Sequence, residues 1–269
     1  MEAMTARIPG KRRRRRPPTR RVDAATIGRW ILSFALFFAL WELIGRSDLT
    51  VAIVPASEVL PDLWDELTQG DLIEATFGTL EIAAVGYAIS AVIGLLVGLL
   101  IGLSRPWADV LDPIVSAMLS APIAMFIPVI AVYLGLEFKA KVVGVVLFCV
   151  FIIIVNTQTG IREVPQSGIE MARAFGTNRR RIYTRVIFPW ASPYIITGLR
   201  IAVSRAVEGA ILFDLFLRAE NLGLVIRNAT GTFDLSVLLG AVFFITILAA
   251  GLMGIARIIE WRLLRWKSY

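Results

Sequence analysis

Six apolar stretches, each about as long as a bilayer is thick, constrain this chain more than any other feature. Crossing roughly 30 Å of hydrocarbon takes about 20 residues of helix. The stretches cover residues 27–44, 75–103, 113–134, 141–157, 191–217 and 235–258. Apolar residues make up 57% of the chain and the mean hydropathy is +0.73, too apolar for a soluble globule. The sequence therefore predicts an all-α membrane protein with six transmembrane helices. An even count puts both termini on one side.

Basic residues predict which side, because Lys and Arg collect in cytoplasmic loops. The first 29 residues hold 10 of the 28, among them the run Arg12 to Arg16. The segment after the fourth stretch holds six, the C-terminal end four, and Arg105 falls on the same side, 21 in all. The other side has five, with Lys141 counted among them, and Arg200 and Arg205 lie inside the fifth stretch. The expectation is a multi-pass membrane protein with cytoplasmic N and C termini. Residues 1–26 read as a basic, disordered cytoplasmic tail that touches anionic membrane lipid and binds no nucleic acid. Residues 27–269 form the transmembrane domain. No small-residue cleavage site follows the first stretch, where Trp41-Glu42-Leu43 stands, so that span is expected to stay.

Between the first two stretches, Val54-Pro55-Ala56-Ser57-Glu58 reads as a turn with Ser57 capping a short amphipathic helix on the outer membrane surface. Gly94, Gly98 and Gly102 recur every four residues, which suits a close helix–helix seam, either lining a pathway or simply packing. Pro113, Pro122 and Pro128 predict a kinked third span. Cys149, the only cysteine, sits in an apolar run and reads as core. The chain has no histidine, which excludes imidazole metal sites and Ser-His-Asp triads. It also lacks a G-x-x-x-x-G-K-[ST] phosphate loop, so catalysis and ATP binding belong elsewhere.

The polar segment 160–190 carries the functional signal. Its pattern predicts two short helices joined at Gly176, since glycine takes the left-handed conformation that ends a helix. Thr177 or Asn178 then caps the second helix, and Pro189 is expected to halt it before the fifth span.

Glu170, Ala172, Gly176 and Val186-Ile187-Phe188-Pro189 resemble the EAA motif of ATP-binding-cassette (ABC) importer permeases, with Met171 where the motif has alanine and Phe188 where it has leucine. The similarity extends over most of residues 27–269 and is nearest to nitrate, sulfonate and taurine permeases. Val54-Pro55-Ala56-Ser57, Thr79-Leu80 with Gly86-Tyr87, Asn156-Thr157, Gly160-Ile161, Gly198-Leu199-Arg200 and Leu222-Gly223 carry it. Ile82 stands where that subfamily has arginine, and Asp214 where it has glutamate. The resemblance implies a type I importer permease with cytoplasmic coupling helices and no cofactor of its own. It implies a dimer of ATP-binding subunits, a periplasmic or lipid-anchored solute-binding protein and a second permease copy as partners. It further implies that Glu170, Met171, Ala172, Gly176, Arg179, Arg180, Arg181 and Pro189 form the part coupled to the ATPase. The three arginines equally fit the positive-inside rule or lipid headgroups.

Charges inside a span are costly and mark either function or internal pairing. Arg205 with Glu208, and Asp214 with Arg218, are spaced to meet on one helix face. They read either as a translocation surface suited to a small anion, with Arg205, Glu208 and Asp214 on the path, or as two structural salt bridges. A stand-alone secondary transporter or channel is the rival reading, and it gives segment 160–190 no task.

Overall fold

The computed structural model describes residues 24–47 and 53–265. The basic run of the N-terminal tail therefore lies outside the described residues, and the last three residues of the expected tail open the first helix. Eleven α-helices follow one another among the described residues. They are α1 (Ala24–Gly45), α2 (Ala56–Thr68), α3 (Leu72–Leu103), α4 (Arg105–Ser120), α5 (Ile127–Leu134) and α6 (Phe138–Arg162). After these come α7 (Gln166–Ala174), α8 (Arg179–Ile182), α9 (Phe188–Phe216), α10 (Asn221–Thr232) and α11 (Leu235–Leu263). Among the described residues, five spans are long and apolar enough to cross a membrane: Thr26–Gly45, Leu72–Leu103, Phe138–Arg162, Arg179–Phe216 and Leu235–Leu263. A sixth is obtained if α4 and the segment Ile123–Leu134 count as one, although they meet at 96°.

That break is sharper than a kink. Ala121 and Pro122 are extended, with ψ of 136° and 98°. Proline drives the residue before it out of the helical region, so the chain turns at Pro122. Pro113 stays inside α4.

The centre is a trio of helices, α3, α6 and α9, which pack on one another. The glycines of α3 make this possible. A Cβ at Gly94 would lie 2.8 Å from Ile153, and one at Gly98 2.6 Å from Thr157, both on α6. The recurring glycines thus serve helix packing. Ile82, Val145, Cys149, Ile153, Ala202 and Ala206 fill the space between the three helices. Cys149 is buried there, as expected, and its Sγ lies 3.4 Å from the Ala202 carbonyl.

The remaining helices wrap this trio. The apolar side chains of α1 are largely exposed, as they are on a helix surrounded by lipid. Helix α1 meets the body through Phe38 and Trp41, whose rings pack on Phe243 of α11. Helix α2 is amphipathic and buries Val59 and Leu63 while Trp64 stays exposed. Pro55, rather than Ser57, precedes its first turn. Ser57 instead donates its backbone N–H and its hydroxyl to the Glu42 carboxylate at 3.0 and 2.8 Å, tying α2 to α1. Ser57 lies within the first turn, two residues past the cap position, so its hydroxyl serves this tie rather than the helix end.

Candidate functional site

Two sets of residues stand out, one at each end of α9. The first is the segment between α6 and α9. Helix α7 closes on Gly176, whose φ is +68°. The Thr177 N–H donates to the Ala172 carbonyl at 3.0 Å and the Gly176 N–H to the Arg173 carbonyl at 2.9 Å. These are the paired bonds of a Schellman turn, which needs a left-handed residue where Gly176 stands. Asn178 then caps α8, its Oδ1 accepting the Arg181 N–H at 3.0 Å. Of the two candidates for that cap, Asn178 is the one used.

Ile169 and Ala172 pack on Ile161, Val164, Ile182 and Ile187, which fixes α7 against the ends of α6 and α9. Met171 and Phe175 are left 61% and 83% exposed. Glu170, Arg179, Arg180 and Arg181 are exposed as well.

Pro189 does not halt the helix. The chain runs from α8 through one π turn, Tyr183–Ile187, directly into α9. Proline has no N–H to donate to the fourth residue back, and its ring crowds that carbonyl. Widening the preceding turn relieves the clash, and the Phe188 N–H reaches back five residues to Tyr183. Pro189 itself sits in the first turn of α9, where proline is tolerated.

The second set lies at the far end of α9. Asp214 is fully buried and takes Lys141 Nζ on Oδ1 at 2.8 Å. Its Oδ2 accepts the Thr79 hydroxyl at 2.7 Å. Lys141 also reaches Glu220 at 3.0 Å, and the Leu222 N–H donates to Thr79 Oγ1 at 3.2 Å. Five segments, α3, α6, α9, α10 and the turn before α10, are thus joined around one carboxylate. Gly223 lets α10 approach, since a Cβ there would lie 2.5 Å from the backbone of Asp214.

Two sequence expectations fail here. Asp214 does not pair with Arg218, because α9 ends at Phe216 and Leu217 leaves helical geometry, which removes the four-residue register. Arg218 pairs with Glu137 and Glu220 instead. Nor does Asp214 open onto any surface, so it is not a path-lining residue in this structure. Lys141, counted above as a loop charge, is completely buried because α6 starts three residues earlier. The signal that could have found it was the position of a second lysine, after Lys139, inside an apolar helix.

Between these sets, Arg205 and Glu208 do meet, at 2.7 Å, and both stay about half exposed in mid-helix. Arg200, one turn nearer the α7 end, is held by Glu260 of α11 at 2.8 Å.

A bundle of apolar helices with a capped, glycine-turned helical segment at one end defines a multi-pass membrane protein. A family model described as "binding-protein-dependent transport system inner membrane component" matches residues 90–265, and the chain belongs to that family of ABC importer permease subunits. The riboflavin transport system permease protein of Chloroflexus aurantiacus is 28% identical over 239 residues, 88% of this chain and 89% of the relative. The putative aliphatic sulfonates transport permease protein of Escherichia coli is 29% identical over 252 residues, 91% and 96% of the two chains. Other relatives are named for nitrate import and bicarbonate transport. Among solved structures, an inward-facing MetNI methionine ABC transporter chain shares the fold. Its TM-score is 0.62 at 22% identity, covering 74% of this chain and 96% of that one.

Proposed function

We propose that α7 and α8 face the cytoplasm and dock on a separate ATP-hydrolysing subunit, and that their movement is passed along α9 to a gate formed with a second copy of this chain. The observation that carries this reading is the Schellman turn at Gly176. It closes α7 rigidly while Met171 and Phe175 remain uncovered on a face the chain itself does not use. The excess of basic residues at this end supports the orientation. A binding protein outside delivers the solute, and ATP is bound by the partner alone.

Arg205 and Glu208 line the path. A half-exposed ion pair in mid-membrane cannot face hydrocarbon cheaply, so it faces a water-filled space or the second copy. Arg205 gives one donor to Glu208 and keeps the rest of its guanidinium for an anion. Among the relatives, those named for sulfonates, nitrate and bicarbonate, but not those named for riboflavin or formylaminopyrimidine, support a small anionic solute.

The test is Gly176→Val, assayed with the co-expressed ATPase and binding protein. A β-branched residue resists the left-handed conformation, so ATP hydrolysis should continue while uptake fails. Normal uptake by this variant would overturn the docking role.

A further inference from the structure

The end of the molecule that carries α7 and α8 also encloses a cavity of about 870 Å³. Its walls are the last turn of α3, the first two turns of α4, the end of α6 and the inner faces of α7 and α8. The floor is apolar, formed by Ile101, Leu103, Ile161 and Ile187. Four arginines rim it: Arg105, Arg162, Arg173 and Arg179. No lysine lines it. Arg162 is occupied by Asp112 at 2.8 Å. Arg105, Arg173 and Arg179 have no carboxylate partner among the described residues. Asp109 is the second acid in the lining, so the rim is net cationic. Asp112 spends Oδ2 on Arg162, and its Oδ1 is buried with no donor.

A ligand that completes this cavity must bring anionic oxygen for forked guanidinium groups, a proton donor for a buried carboxylate oxygen, and apolar bulk for the floor. We propose that the cavity binds the headgroup of an anionic glycerophospholipid, a phosphodiester that also bears a hydroxyl, as in phosphatidylglycerol. Arginine offers paired donors that match phosphate oxygens. The headgroup hydroxyl donates to Asp112 Oδ1. The first acyl carbons lie on the apolar floor, and Trp107, two residues beyond Arg105, is exposed. Tryptophan at that depth is common where helices leave the bilayer.

The cavity is not the place where the ATPase docks. At about 100° per residue, Gln166, Ile169 and Arg173 share one face of α7, and all three line the cavity. Met171 and Phe175 lie roughly 160° round the same helix. The lipid therefore occupies the membrane side of α7 and leaves the other side free. Placement in the cytoplasmic leaflet rests on the orientation proposed above. Binding itself does not, because a detergent micelle has no leaflets.

The experiment is native mass spectrometry of the permease–ATPase complex, purified in detergent with equal amounts of phosphatidylglycerol and phosphatidylcholine. The complex should retain phosphatidylglycerol at least tenfold over phosphatidylcholine. Phosphatidylmethanol, an anionic diester without a hydroxyl, should bind several-fold more weakly than phosphatidylglycerol. The double variant Arg105→Gln with Arg173→Gln should lower phosphatidylglycerol retention at least tenfold. If that variant yields no intact complex, the phosphatidylmethanol comparison on the unaltered chain decides. Equal retention of all three lipids would overturn the site. Retention of phosphatidylglycerol by the permease alone but not by the complex would reassign the cavity to the ATPase subunit. Displacement of the lipid by micromolar glycerol 3-phosphate would reassign it to a free phosphate ester. A coupled, freely transporting Gly176→Val variant would leave these binding results untouched, so the two readings fail separately.

Discussion

Helix α9 carries two ion pairs of opposite character. At one end, Asp214 is sealed from solvent and every polar contact around it is made, with Lys141, Thr79 and Asn221 converging on its two oxygens. Two turns earlier, Arg205 and Glu208 hold only each other among the described residues and stay half exposed. The contrast separates structure from function. A buried pair with full hydrogen bonding locks helices together, and removing one partner strands a charge. An exposed pair contributes little to stability, so its place inside a span calls for another use.

That contrast can be broken most directly at Lys141. Lys141→Met should lower stability in detergent by roughly 3–5 kcal/mol, because Asp214 is then buried without its counter-charge. The double variant Lys141→Met with Asp214→Leu should recover most of the loss in thermal unfolding. A single variant as stable as the parent would erase the distinction drawn here. Next in size, Gly223→Ala should cost about 1–3 kcal/mol by wedging α10 away from the end of α9. It should loosen α10 in hydrogen exchange while leaving α8 unaffected. Arg205→Gln should change the unfolding midpoint by less than ~0.5 kcal/mol equivalent and yet cut anion uptake in proteoliposomes about tenfold, the loss of one charge-assisted contact. Unchanged uptake would move Arg205 to the structural side. The smallest effect belongs to Arg218, exposed between Glu137 and Glu220. Arg218→Ala should cost ~0–1 kcal/mol in the same unfolding assay. A larger cost would mean that the sealed network extends to the surface.

The sequence made the local features readable. Gly176 and Asn178 each act within a few residues of their own position, so a left-handed turn and an N-cap could be recognised from composition alone. The Arg205–Glu208 contact is likewise set by helical spacing. The network around Asp214 was not readable, because its members are drawn from positions 79, 141, 214 and 220, and only tertiary packing brings them together. The spacing of Asp214 and Arg218 even suggested a wrong partner, since nothing in the local sequence revealed that the helix stops at Phe216. Pro122 and Pro189 show the same limit. Pro122 reads as a kink and Pro189 as a stop, yet the first turns the chain by 96° and the second is absorbed without a break. Whether a proline bends or is accommodated depends on neighbours that local spacing does not encode.

The widened turn at Tyr183–Ile187 resets the helical phase between α8 and α9. Inserting one residue into a helical turn offsets everything beyond it by about 100° relative to an unbroken spiral. Side chains of α8 and α9 that would align on an ideal wheel therefore point in different directions, like two cranks keyed at an angle on one shaft.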